Sequence, residues 1–283
     1  MIDPDEADIQ INSFGAFRLT CAGRTVERWR AGKAKSLLQY LLLRRGRVVA
    51  RDNLYEALWP DAPWSTNSSS LKVAVHMLRQ TLSWAQDRRA EATRQSRLQL
   101  LTRESGYVLE AENVWLDFEA FDQLVELGHA AQLEHRDATE PYRRAVELYH
   151  GDFLADADTD WAATHREWLR SRLLCALSFL TDRAMAAGDH LSVLRWCQRT
   201  LEIEPFHEQS YRALILVHGQ QGQLTQVYRW HQLCASRLRE GLQVNPHLTT
   251  QRLYARAVRG DFVGRRLHAQ AWRLDGQQPA FAG

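Results

Sequence analysis

The spacing of apolar residues changes along this chain, and the changes divide it. Near the start, Ile9–Ile11 and Phe14–Leu19 alternate apolar and polar positions, with turn residues at Asn12–Ser13 and Cys21–Arg24. Each run predicts a short strand. Lys33–Leu43 is too long and too apolar for a typical strand and predicts a helix that stops at Arg44–Arg45–Gly46. Arg47–Ala50 reads as a short strand. Arg51–Leu58 reads as a second helix, broken by Trp59–Pro63. A third helix is expected from about Ser65–Asn67, where N-capping side chains cluster, to about Trp84. Leu71, Val75, Leu78 and Leu82 form its buried stripe, and Ser69, Lys72, His76, Arg79 and Ser83 its opposite one. After a polar loop at 86–97, Leu98–Leu101 and Tyr107–Leu109 flank the turn Arg103–Gly106, which predicts a β-hairpin.

From Leu116 to Gly260 the pattern is helical nearly throughout, with breaks at Gly151, Gly188, Pro205, Gly222 and Pro246. Residues 184–198 and 217–232 align, with Gly188 on Gly222 and Trp196 on Trp230, each pair 34 apart. That is the period of a tetratricopeptide repeat, a helix pair that buries its apolar face by stacking on neighbours. Tyr142–Tyr149 is a weaker third match. Both Trp residues are expected to pack between helices. The segment from Gly264 loses helical periodicity and reads as a mobile tail, whose Arg265, Arg266 and Arg273 read as solvated.

Charge sharpens the division. The 283 residues carry a net charge of only +2, yet 14–110 holds 17 Lys and Arg against 8 acids, while 111–283 holds 19 against 22. A basic third ahead of an acidic remainder points to one domain that meets a polyanion and one that does not. No apolar stretch is long enough to cross a bilayer, and the acidic start lacks the features of a signal peptide, so a cytoplasmic, nucleoid-associated protein is expected. Cys21, Cys175, Cys197 and Cys234 are too scattered for a CxxC pair and read as buried or partly buried free thiols.

The stretches 32–61, 69–82 and 100–110, in this order, resemble the OmpR/PhoB-type winged helix of the SARP-type, AfsR-related activators. The stretches WLDFEAF (115–121), YHGDFLAD (149–156) and 238–260 are similar to the bacterial transcriptional activator domain that follows it in that family. The resemblance covers about residues 12–262. It implies a mainly α fold with a small β component, a winged helix-turn-helix followed by an all-α, tetratricopeptide-like domain. The expected division is an N-terminal tail (1–11), the winged helix (12–112), the activator domain (113–262) and a C-terminal tail (263–283). Departures are Ala50, where a capping Ser or Thr is usual, and Ala74 and Met77 on the recognition helix. A chain ending near Glu112 is expected to keep the winged helix and its core.

The outer stripe of the third helix suits the major groove, which admits one α-helix and exposes base edges. Ser69, Lys72, Val73, His76, Met77, Arg79 and Gln80 are the candidate base readers. Lys72 and Arg79 can donate to guanine O6/N7 or to phosphates, His76 and Gln80 can hydrogen-bond bases, and Val73 and Met77 can meet thymine methyls. Lys33, Lys35, Arg47, Arg51, Thr66, Asn67 and Arg103 are the candidate phosphate contacts, placed at helix starts or on the hairpin tip. Enzyme signatures fail. His207–Glu208 begins like HExxH but Tyr211 stands in place of the second His, Gly32–Lys33 lacks a phosphate-binding loop, and 152–160 lacks the Gly and final Glu of an EF-hand. The reading is therefore a non-enzymatic, cofactor-free activator, specific to a secondary-metabolism pathway such as antibiotic biosynthesis. Its expected partners are direct-repeat promoter DNA, which it binds as a homodimer, and RNA polymerase holoenzyme, with no membrane. The rival class is a helical-repeat adaptor whose winged helix mediates protein contacts.

Overall fold

The structure, a computed structural model, describes residues 7–26, 29, 32–62, 69–86 and 97–264. In chain order the elements are β1 (Ile9–Asn12), β2 (Arg18–Cys21), β3 (Arg24–Thr25), α1 (Ala34–Leu42), β4 (Val49–Ala50), α2 (Arg51–Leu58), α3 (Ser70–Gln86), β5 (Arg97–Thr102), β6 (Gly106–Glu112) and β7 (Val114–Leu116). The helices α4 (Asp117–Leu133), α5 (Thr139–Leu148), α6 (Asp160–Ala187), α7 (His190–Ile203), α8 (Glu208–Gln220), α9 (Leu224–Leu242) and α10 (Leu248–Val258) follow. The fold is mainly α with a small β component, as the apolar periods predict. By compactness it divides into residues 1–126 with 147–171, and residues 127–146 with 172–283. α4, α5 and α6 therefore contribute to both units, a division that follows packing rather than the chain boundary expected near residue 112. Among the described residues no helix is long and apolar enough to cross a membrane.

In the first unit β2 pairs antiparallel with β1 and β3, and β7 lies parallel to β1, giving the order β3-β2-β1-β7. Ile9, Ile11 and Leu19 point inward from this sheet and are fully buried, the period-two pattern made physical. β1 thus begins within the stretch read as a tail. The strand expected over Phe14–Leu19 is shorter and starts later. Gly15 turns the chain at φ 79°, and Phe14 bridges to Phe153 alone. Phe14 packs edge-on against Phe121 at 5.4 Å and tilted against Tyr149 at 4.6 Å. Alternation there marks two buried aromatic plugs, Phe14 and Phe17, rather than a pleat.

β7 runs straight into α4, and Asp117 sits at the junction, 2% exposed. Its Oδ2 accepts Ser13 N–H at 2.6 Å and Phe14 N–H at 2.9 Å, and its Oδ1 accepts the Ser13 hydroxyl at 2.6 Å and Phe118 N–H at 2.7 Å. Burial pushes this carboxyl above its ordinary pKa, against the pull of those four donors. A chain ending near Glu112 lacks these contacts. Such a chain loses a strand of the first sheet and the acceptor for the three buried donors of Ser13 and Phe14.

The helical part of this unit packs by its apolar stripes. Leu71, Val75, Leu78 and Leu82 of α3 are all buried, as are Leu37, Leu38 and Leu41 of α1 and Leu54 and Leu58 of α2. Ala50 precedes α2 with no side-chain cap; a Ser or Thr there typically contributes about 1 kcal/mol. β4, β6 and β5 form a second sheet in that order, all antiparallel, and β5–β6 is the expected hairpin. Gly106 is fixed by packing, because a Cβ there would lie 1.9 Å from the Val49 carbonyl oxygen. α3 starts at Ser70, later than expected, with the Ser69 carbonyl accepting Val73 N–H. The expected capping cluster Ser65–Asn67, most of the polar loop and the tail beyond Gly264 lie outside the described residues.

The second unit is a helical-repeat stack in which α8 packs on α7, α9 and α10. A Cβ on Gly128 would strike the Tyr142 ring at 2.6 Å, so α4 and α5 cross at that glycine. Tyr142 then packs on Phe179 of α6 at 5.0 Å. Cys197 of α7 hydrogen-bonds with Thr181 of α6 and Ser210 of α8, and burial pushes its thiol up to about 12. Tyr211 of α8 accepts from Arg237 of α9 at 2.8 Å. Arg212 of α8, only 2% exposed, donates to Thr250 of α10 at 3.1 Å, and Thr250 donates to Glu208 at 2.6 Å. An anion so close compensates a buried guanidinium that would otherwise be costly.

The 34-residue repeat extends to individual backbone bonds. Gly188 N–H reaches Met185 O at 3.1 Å and Gly222 N–H reaches Gly219 O at 3.2 Å. Asp189 to Ala184 and Gln223 to His218 are both 2.9 Å. Both glycines have positive φ, 71° and 69°, where a Cβ is strained. Trp196 is buried and Trp230 half-buried, 6.4 Å from Tyr211 between ring centroids. The sequence pattern misses the break at 134–138, where no Gly or Pro marks the turn. It also misplaces Cys175, which is exposed. The other three cysteines are buried, and all four are free.

Candidate nucleic-acid interface

The outward face of α3 follows from the helix period. Ser69, Lys72, Val73, His76 and Gln80 are exposed at spacings of three and four, opposite the buried leucines. Met77 is half-buried at the edge of this face. α3 contains no acidic residue, so nothing on the helix itself repels an anion. Val73, 56% exposed, sits among the polar groups as an apolar contact point.

Arg79 is exposed but its guanidinium is turned to the hairpin. Nε donates to the Leu100 carbonyl at 3.0 Å and Nη2 to the Thr102 hydroxyl at 2.8 Å. The residue ties the helix to the outer edge of β5. Sequence spacing alone places Arg79 with the other polar residues and carries no signal of this tie.

The hairpin tip is held in a similar way. Arg103 and Gly106 exchange backbone hydrogen bonds of 2.9 and 3.3 Å, closing the turn. Arg51, at the start of α2, donates to the carbonyls of Glu104 at 2.7 Å and Arg103 at 3.3 Å, with its guanidinium 5.7 Å from the Tyr107 ring centroid. Arg103 itself is exposed and pairs with Glu110 at 3.2 Å. Such exposed pairs are weak and exchange readily for a stronger anion.

The remaining expected phosphate contacts are spread more widely. Lys33 is half-buried just before α1, and Arg47 is exposed in the turn after it. Lys35 pairs with Asp156 and lies 5.8 Å from the Phe17 ring centroid. Thr66 and Asn67 lie outside the described residues. The structure therefore brings Arg51 and Arg103 together at the hairpin tip and ties Arg79 to the same hairpin. It engages Lys35 with an acid of its own chain. Asp117 and the Arg45–Glu119 pair (2.6 Å) complete the scaffold and were not singled out by sequence. Their only sequence mark is the acidic start of α4.

An acid-free helix face with donors, acceptors and a methyl-bearing side chain, beside a hairpin tipped with arginine, can hydrogen-bond base edges and phosphates together. Residues 30–109 match the family model described as transcriptional regulatory protein, C terminal, and residues 116–258 match that described as bacterial transcriptional activator domain. The chain is 26% identical over 266 residues to the transcriptional regulatory protein MoaR1 of Mycobacterium tuberculosis, covering 91% of this chain and 83% of that protein. It is 27% identical over 241 residues to the transcriptional regulator RedD of Streptomyces coelicolor, covering 83% and 66%. It is 25% identical over 261 residues to the regulatory protein AfsR of the same organism, covering 87% of this chain but 25% of AfsR. The solved structure of Mycobacterium tuberculosis EmbR in complex with a low affinity phosphopeptide matches with a TM-score of 0.67 at 22% identity, over 90% of this chain and 66% of that one, which shows a shared fold.

Proposed function

The chain belongs to the SARP family of regulators, in which an OmpR/PhoB-like winged helix precedes a bacterial transcriptional activator domain, and from that membership we propose that it reads promoter DNA with the outward face of α3. Its class is DNA-binding transcriptional activator, not enzyme. The carrying observation is the acid-free exposed strip Ser69, Lys72, Val73, His76 and Gln80. In this reading Lys72, His76 and Gln80 meet base edges and Val73, with Met77 at the margin, meets thymine methyls. Lys33, Arg47, Arg51, Arg103, Thr66 and Asn67 serve the phosphates, with Lys35 joining when its partner Asp156 yields it. Arg79 acts by setting the hairpin against the helix.

The domains divide the work: residues 12–112 recognise DNA, and residues 113–262 arrange two copies on direct-repeat sites and engage RNA polymerase in the cytoplasm. The relatives AfsR and RedD support a role in secondary metabolism, including antibiotic biosynthesis. The test is a genome-wide footprint of bound DNA followed by titrations at several salt concentrations on one recovered site. A steep fall of affinity with salt is expected, with a log–log slope of about 0.9 per phosphate contact. Salt-independent binding, or no enriched sites, would sink the reading in favour of a protein adaptor.

A further inference from the structure

Among the described residues, the α9–α10 layer of the helical stack carries much of the exposed apolar surface. Of the 14 exposed large hydrophobic side chains among the described residues, eight lie between Leu224 and Val263, Tyr228, Leu233, Leu248 and Val258 among them. Exposed apolar side chains concentrated in this way mark a surface that meets a partner. Its charge is one-sided. Residues 224–264 carry six arginines and two acids. Leu248, Arg252, Ala255 and Arg259 are exposed at spacings of four, three and four, one outward stripe of α10. The stacked rings of His231 and Tyr254, 3.9 Å apart, hold α10 against α9.

The same chain carries the complement. Residues 147–167 hold six acids, of which Asp156 pairs with Lys35 and Asp152 and Glu167 pair with Arg170, against a single base within the segment, Arg166. That arginine is turned inward onto the carbonyls of Phe153, Leu154 and Ala157. Asp158, Asp160 and Glu167 are exposed around the start of α6, with Trp168 44% exposed beside Glu167 in sequence. We propose that the basic, apolar α9–α10 face of one copy docks on the acidic, Trp168-bearing face of a second copy. The two faces differ, so the contact is head-to-tail. Copies on direct repeats are related by translation along the DNA and need a contact of that kind. The proposal rests in this respect on the direct-repeat reading above.

The experiment uses the full chain. Self-association is followed by sedimentation velocity without DNA at low and high salt, and cooperativity by titration of one-site and two-site DNA. Arg252→Glu with Arg259→Glu alters one face, and Asp158→Lys with Glu167→Lys the other. All four positions are exposed, and thermal melts check that each variant folds. Each double variant alone should lose cooperativity by about tenfold or more, since linked sites gain that much from effective concentration. Mixing the two should restore one contact, and combining all four changes in one chain should restore association. Unchanged cooperativity and association in both variants, or loss without rescue on mixing, would overturn the proposal. A weaker hold of the arginine variant on a single site with a flatter salt slope would instead make α9–α10 a DNA contact. If the parent chain binds no DNA, the direct-repeat reading falls while salt-sensitive, mutation-sensitive self-association still decides the docking.

Discussion

Ser13 and Asp117 stand 104 residues apart, yet both donors of Ser13, its N–H and its hydroxyl, end on the Asp117 carboxylate at 2.6 Å. The bond pair closes the first sheet onto the start of α4. Asp117→Ala leaves the buried N–H groups of Ser13, Phe14 and Phe118 without their acceptor. A loss of about 3 kcal/mol or more is expected, read as a lowered denaturant midpoint. By the same logic a chain cut after Glu112 should not fold, whereas one cut after Ser171 keeps the strand, the carboxylate and the packing of Phe14 on Tyr149. Circular dichroism melts of the two pieces check this; a cooperative transition in the shorter one would refute it.

Arg79 and Lys72 share one helix but should fail differently when changed. Arg79→Ala frees β5 from α3, so binding to preferred and random DNA should weaken together. Lys72→Ala should cost about 1–3 kcal/mol on the preferred site and less on random sequence. Parallel titrations on both DNAs decide it, and a reversal of the two patterns would exchange the roles.

Trp196 and Trp230 occupy matching places in the repeat but are unequally covered. Trp196→Ala should cost about 3–5 kcal/mol, and Trp230→Ala less. Urea midpoints give the order. Equal costs would mean that burial does not set the loss here.

Three histidines tie stability to pH. Burial lowers the pKa of His165, His207 and His231 below the ordinary 6.5. The unfolded chain therefore binds these protons more readily. Their contribution is complete above about pH 6.5 and falls as the pH drops below it. His165 packs on Phe118 and Phe153 at 5.9 and 4.9 Å, so His165→Phe keeps an aromatic ring there and removes one proton. Denaturant midpoints between about pH 6.5 and 5 should fall less steeply in that variant; an unchanged slope would show that His165 does not contribute.

Thiol labelling offers a plain check of the packing. Cys175 should react under native conditions, and Cys21, Cys197 and Cys234 only on unfolding. Cys234, like Cys197, is pushed up to about 12 by burial. Rapid labelling of two or more thiols in the folded protein would contradict the buried positions.

What the sequence reveals follows from the range of the forces involved. The stripe of α3, the hairpin and the paired glycines are local and periodic, so they were legible before any coordinates. Strands β3 and β7 were not, because Arg24 falls among turn residues and Val114–Leu116 runs directly into the helical pattern. The Phe14–Leu19 alternation misled because aromatic plugs and pleats can share a spacing. On the interface, exposure of Lys72, Val73, His76 and Gln80 followed from helix geometry. The tie of Arg79 to Leu100 and of Arg51 to the hairpin tip depends on where β5 and α2 come to rest, which no window of sequence encodes. Asp117 is the sharpest case, since Ser13 and Phe14 are 104 and 103 residues away in sequence and reach it only because β1 and β7 pair in parallel.

The matched junctions at Gly188 and Gly222 make the second unit extensible. Each junction is closed by bonds within a six-residue span, Ala184 to Asp189 and His218 to Gln223. A duplicated cassette of residues 188–221 spliced in ahead of Gly222 would carry its own stop and start signals, so the array can grow by whole modules without redesigning either end.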